Sequence, residues 1–239
     1  MNDAWIEVTE LKKRLTTFFD QQKPELSKFG SKVNQTFEAF VIAQVMGWYR
    51  SRNWLVEIKN PIDERTKKEV FRLKFSTRGR PGGYSYAICT SSDGDEVIQI
   101  RHQLRVATRS YKEGSKPRAN MCLDVAIIKD MPIDHFSTLD YVPNNQLLSF
   151  GEAKHMSAFA ELVASFVGIV HELQPERLKR FRVKKREQAP RHVAPFLYVS
   201  GKLWHTAEGI CSTLVRRKYD LDVWTGTKAL SSSLQLPQK

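Results

Sequence analysis

The sequence is poor in cysteine, in acidic residues and in long apolar runs. Its 239 residues include three cysteines, Cys89, Cys122 and Cys211. That odd, sparse set has no CxxC spacing and argues against a disulfide framework. Each thiol lies in an apolar stretch, which predicts reduced, buried cysteines in a cytoplasmic protein. No run of about 18 apolar residues occurs, so a membrane-spanning helix is excluded. The opening MNDAWIEVTELKKR has no apolar stretch behind a basic start, and a secretory leader is not expected. No Gly-x-Ser-x-Gly elbow is present, the six histidines show no paired zinc spacing, and no Gly-rich loop ends in Lys-Ser or Lys-Thr. Nucleophilic serine chemistry, zinc-finger folding and Walker-type nucleotide binding therefore have no support.

Basic residues are abundant by contrast. Lys and Arg number 38 against 26 Asp and Glu, a net charge of +12. A polyanion is the expected partner, nucleic acid first among them. Apolar residues make up 41% and charged residues 27%, the balance of a globular chain.

Apolar spacing predicts helices over residues 4–21 and 33–50. The second carries Phe37, Phe40, Val41, Val45 and Trp48 on one broad face, with Asn34 as its cap. Period-two alternation predicts strands over 54–59, 70–76, 84–90 and 96–108. In the last of these Ile98, Ile100, Leu104 and Val106 face one way, and Gln99, Arg101, Gln103 and Arg105 the other. Strands over 121–128 and 147–154 follow, separated by a polar loop. A helix over 158–173 then buries Phe159, Leu162, Val163 and Phe166. Ser157 is expected to cap it. A strand over 196–200 and a helix over 206–219 complete the fold, the helix capped by Thr206 with Ile210, Leu214 and Val215 inward. The crossover from 147 to 200 requires a parallel pair, so the sheet should be mixed. The expected organisation is an N-terminal helical extension (1–30), one α/β domain (31–225) and a polar tail (226–239).

Two of these strands carry charge where an apolar run predicts burial. Asp124 interrupts Met-Cys-Leu-Asp-Val-Ala-Ile-Ile. Glu152 and Lys154 stand two apart in Phe-Gly-Glu-Ala-Lys-His, on one face of a strand. A buried carboxylate costs several kcal/mol unless paired or metal-bound. Two carboxylates and the Ala153 carbonyl are a hard-oxygen set suited to Mg²⁺, with Mn²⁺ as a substitute. Lys154 beside them can orient or deprotonate a water, or stabilise charge on a phosphate. His155 is expected to point away from that face. Glu57-Ile58-Lys59 repeats the Glu-x-Lys spacing, but a helix precedes it rather than an acid-bearing strand, and it reads as a solvated face.

An Asp on one strand, Glu-x-Lys on the next, then helix, strand and helix resembles the PD-(D/E)xK nuclease superfamily. The resemblance covers roughly residues 33–217. It departs at Leu123, where the nominal motif has Pro, and in the long interval from Asp124 to Glu152. It implies a restriction-endonuclease-like α/β core, a mixed β-sheet flanked by helices in the order α-β-β-β-α-β-α. The implied activity is that of a divalent-metal-dependent endonuclease hydrolysing phosphodiester bonds, with DNA ahead of RNA as substrate and a role in defence or DNA processing. It gives Asp124 and Glu152 as metal ligands and Lys154 as the water-activating or charge-stabilising residue. Glu38, on the helix over 33–50, takes the place of an auxiliary metal contact. The alternative is a non-catalytic nucleic-acid-binding module with the same fold. Arg101, Gln103, Arg105, Arg109, Arg118, Arg180, Arg182, Lys184 and Lys185 are the candidate contacts to nucleic acid, the last four within a run of eight Lys or Arg over 177–191. A homodimer or a separate targeting protein would supply what no obvious specificity domain provides.

Overall fold

The computed structural model describes residues 13, 33–77, 80–112, 119–132, 141–179 and 191–226. The predicted helix over 4–21 lies outside them, apart from Lys13. The described chain runs α1 (Val33–Arg50), β1 (Leu55–Lys59), β2 (Tyr86–Thr90), β3 (Val97–Ala107), β4 (Asn120–Lys129), β5 (Leu147–Lys154), α2 (Ala160–Leu173), β6 (Phe196–Val199), α3 (His205–Arg217) and β7 (Asp222–Thr225). The seven strands form one sheet in chain order. β1 to β5 pair antiparallel, and β5–β6 and β6–β7 pair parallel. The mixed sheet expected from the crossover is present. β7 was not anticipated.

Alternate residues of β4 enter two separate cores. Val125 and Ile127 pack with α1 side chains such as Phe37, Phe40 and Val41. Ala126 and Ile128 pack with Val163, Phe166 and Leu214 of α2 and α3. Because successive strand residues point to opposite faces, the helices cover the sheet on both sides. α1 is buried on more than the predicted face, since Thr36, Ala39, Ile42, Ala43, Met46 and Tyr49 are also enclosed. A helix apolar nearly all round is one that sits inside a core.

Several expectations fail in instructive ways. Residues 70–76 alternate in burial only as far as Leu73: Phe71 and Leu73 are inward, but Lys74 is buried as well, and the segment joins no ladder of the sheet. The segment is extended and held by single contacts, such as the Ser85 N–H donating to the Arg72 carbonyl at 2.7 Å. The β3 alternation breaks midway. Ile98 and Ile100 lie in the α1 core, whereas Leu104 and Val106 lie in the opposite one. The switch occurs at Gln103, whose φ of 50° is left-handed. Asn34 lies inside α1 rather than at its cap. α2 starts after Phe159, which is exposed, and Ser157 does not cap it. Thr206 is within α3, Trp204 takes the cap position, and Val215 faces solvent.

Candidate active site

The register of β4 and β5 brings the charged residues together. Ala126 pairs with Phe150 and Val125 with Gly151, so the next step sets Asp124 beside Glu152. There the two strands part. The Ala153 N–H turns to the Asp124 side chain, donating to Oδ2 at 2.9 Å. The Lys154 ammonium donates to Asp124 Oδ2 at 2.7 Å and to Glu152 Oε2 at 2.9 Å. Gly151 backs this arrangement, because a Cβ there would lie 2.0 Å from the Phe196 ring. Only glycine lets β6 lie so close behind the site.

Both carboxylates are buried. Burial pushes Glu152 up to about 7, and the nearby Asp124 carboxylate pushes the same way against the pull of Lys154. Burial draws the Lys154 pKa down, but the two carboxylates outweigh it and hold the ammonium well above its ordinary value. Lys154 therefore stays charged and acts as the cation between two acids.

A second set of side chains reaches this cluster from α1 and β3. The Gln103 side-chain amide donates to Asp124 Oδ1 at 2.9 Å and to Glu38 Oε2 at 3.2 Å. Its carbonyl oxygen accepts from Cys122 Sγ at 3.4 Å, which fixes the amide's orientation. Glu38 Oε2 also shares a 2.7 Å hydrogen bond with His102 Nε2. The Phe75 ring stands edge-on to His102, 4.9 Å between centroids. Behind Gln103, the Lys74 ammonium donates to its backbone carbonyl at 3.0 Å and to the Ser76 carbonyl. Lys74 is 2% exposed, and burial holds its pKa below the ordinary lysine value. The left-handed residue is thus pinned through its main chain while its side chain bridges two acids.

Glu38 accordingly joins Asp124 through the Gln103 amide rather than standing with Asp124 and Glu152 as a third ligand. Among the described residues no three His, Cys, Asp or Glu side chains gather as a metal cage. The hard-oxygen donors are the pair Asp124 and Glu152. That pair fits Mg²⁺, which keeps much of its water and is commonly held by one or two carboxylates.

The expected nucleic-acid face is rearranged. Arg101 is 3% exposed. Its guanidinium lies over the Tyr86 ring at 3.8 Å and donates to Gln99 Oε1 at 2.6 Å. Burial lowers its pKa to about 10. Gln103 is buried in the network above. Neither lines a solvated groove. Arg105 is partly open, donating to the Thr77 carbonyl at 3.1 Å and Asn120 Oδ1 at 2.9 Å. Arg109 is exposed, in the turn after β3. Arg118, Arg180, Arg182, Lys184 and Lys185 lie outside the described residues. The described flanks of the basic run are tied down: Arg177 pairs with Asp220 and Arg191 with Glu96. His192 bridges Glu96 at 3.0 Å and Tyr49 at 3.2 Å.

His155 packs toward Phe37, 5.8 Å between ring centroids, in the bend after β5. Glu57 and Lys59 form a 3.0 Å ion pair on an exposed face of β1. The sequence reading missed His102 and Lys74. Lys74 falls on the polar side of the predicted alternation, opposite Phe71 and Leu73, so nothing in the local sequence signals its burial. No family model matches the chain, and neither a curated protein nor a solved structure matches it.

Proposed function

We propose that this chain is a divalent-metal-dependent nuclease of the PD-(D/E)xK kind, with a restriction-endonuclease-like core formed by α1, β3 to β5, α2, β6 and α3. One observation carries the reading: two buried carboxylates from parting strands share a single lysine ammonium, and one of them titrates near neutrality. Such a cluster is costly as mere architecture, because like charges are enclosed with one counter-ion between them. An acid whose pKa is raised this far beside a second carboxylate and a lysine marks a candidate working site.

In this reading Asp124 and Glu152 hold Mg²⁺, with Mn²⁺ as a substitute and the Ala153 carbonyl as a further oxygen. The ion, when bound, supplies charge neutralisation at a phosphate and a water of lowered pKa. Lys154 is held charged, so it serves as a donor to a phosphoryl oxygen that gains charge rather than as a base. Gln103 keeps Asp124 aimed by donating to Oδ1, which leaves Oδ2 to Lys154 and Ala153. Glu38, itself hydrogen-bonded to His102, holds the Gln103 amide from the α1 side. DNA is the proposed substrate, and Arg105 and Arg109 are proposed phosphate contacts.

The test is incubation of the full chain with supercoiled, linear and single-stranded DNA and with RNA, in Mg²⁺ and in chelator. Cleavage that needs the metal and is lost in Lys154→Ala is the expected result. Binding without cleavage of any of them would leave a non-catalytic nucleic-acid-binding module.

A further inference from the structure

Beyond Lys154 the chain leaves the sheet, and beyond Val199 so does β6. The two departing segments are laced together. The Ser200 N–H donates to the Lys154 carbonyl at 3.1 Å, and the Gly201 N–H to the Met156 carbonyl at 3.1 Å. The Ala158 N–H donates to the Lys202 carbonyl at 2.9 Å, and the Trp204 N–H to the Ala158 carbonyl at 2.9 Å. A Cβ at Gly201 would lie 2.4 Å from Ser157 Oγ and 2.8 Å from its backbone nitrogen, so glycine permits the close approach.

The lacing ends in two aromatic side chains, Phe159 before α2 and Trp204 before α3. Among the described residues the large apolar side chains left exposed are Leu55, Ile62, Phe159, Trp204 and Val215, and both aromatic ones are here. Trp48, Trp54 and Trp224 are buried, whereas Trp204 is 51% exposed and Phe159 40%. The Lys202 ammonium lies 4.7 Å from the centre of the Trp204 ring. The four steps of chain from Lys154 to Ala158 span at most about 14 Å. The platform's backbone is thus no more than about four steps of a stacked strand from Lys154, at roughly 3.4 Å each.

From this geometry we infer that Trp204 and Phe159 are a stacking platform for unpaired nucleotides, and that single-stranded nucleic acid is the class of substrate brought to Lys154. Its purpose rests on the nuclease reading, but the binding itself does not. An exposed ring offers its face to any base, which gives grip without sequence preference. Bases inside a duplex have their faces covered and cannot use it. Glu161 and Glu208, in the first turns of α2 and α3, oppose a phosphate at the helix ends, with Glu208 turned to His205 Nδ1 at 3.4 Å. The rings are therefore what this surface offers, and Lys202 supplies a cation beside them.

Titration of the full chain in chelator with a short oligothymidylate, an oligouridylate and a hairpin duplex tests this, read by tryptophan fluorescence and by affinity. Single strands should quench the wild type and the duplex should not. Trp204→Ala should lose the quenching and weaken single-strand binding roughly five- to 150-fold, with duplex binding unchanged. Trp204→Phe should recover most of the affinity. Binding of the thymidylate alone, the uridylate alone or both would each support the platform. Equal affinity of Trp204→Ala and wild type for single strands would overturn it, as would an equal loss for single strands and duplex. Cleavage of the same oligonucleotides with Mg²⁺ is a separate readout. Its absence alongside intact quenching would sink the nuclease reading and leave the platform standing.

Discussion

The chain carries Glu-x-Lys twice on strands, in β1 and in β5, and the two copies have almost the same internal geometry. Lys59 sits 3.0 Å from Glu57, and Lys154 2.9 Å from Glu152. Their surroundings differ in kind. The β1 pair is 47% and 51% exposed, and water screens its attraction. The β5 pair has the carboxylate 10% exposed and the lysine 36%, and Asp124 adds a second acid at 2.7 Å. Spacing places two charges on one face of a strand. Enclosure and a third charged group from the neighbouring strand change what the pair can do.

The largest contrast should appear in cleavage. Lys154→Ala should lower metal-dependent turnover by about 10²- to 10³-fold, the range for loss of one positioned donor to developing charge. Lys59→Ala should cleave as wild type in the same assay. Equal losses would erase the distinction between the two copies.

A pH experiment sharpens the same comparison through stability. Glu152 is raised from an ordinary 4.5 to about 7 by burial and by Asp124. Between those values the folded protein keeps a proton that the unfolded chain has released. Metal-free stability should therefore fall as pH rises through that window, by up to about 3 kcal/mol. Glu152→Gln removes that titration, so unfolding by urea at about pH 5 and about pH 8 should give a flatter dependence and a more stable protein at the higher pH. Glu57→Gln should leave the wild-type slope in place.

Glu38→Gln comes next, with a loss of turnover of about 10- to 100-fold, the usual weight of a group that orients another ligand. Single-turnover rates on one substrate measure it, and unchanged rates would reduce the site to Asp124, Glu152 and Lys154. The smallest effect is reserved for Glu57→Ala. Thermal unfolding should shift its stability by less than about 0.5 kcal/mol, as befits an exposed pair.

What the sequence made legible follows from the same physics. Asp124 and Glu152 stand out because they interrupt apolar runs, and the strand period puts Lys154 beside Glu152. The crossover after β5 forced a parallel pair. Other features leave no such trace. Ile98, Ile100, Leu104 and Val106 keep one parity, and His102 between them is the one local break, so the switch of faces at Gln103 is not declared until the backbone is seen. Arg101 and Gln103 look like a wet face by polarity, yet Tyr86 and Gln99 enclose one and Glu38 and Asp124 enclose the other. Residues 70–76 have the sequence period of a strand without the ladder, because apolar spacing reports which side chains meet a core and not whether the backbone is paired, and the buried Lys74 breaks even that period. β7 has four residues, too few for a period to declare itself beside the longer helix before it.

Gln103 ties the shape of the backbone to the charge of the site. A left-handed non-glycine residue within a strand costs of order 1–3 kcal/mol, and glycine at that φ would avoid most of that cost. The side chain offsets it, because its amide is the donor shared by two enclosed acids, Asp124 and Glu38, and a buried acceptor left without a donor costs about as much or more. Gln103→Gly should therefore leave the melting temperature unchanged or lower it, while freeing Asp124 and Glu38 from their shared amide. The residue that would fit this bend best is thus one the acids around it cannot do without, and neither a screen for heat tolerance nor one for turnover would select it.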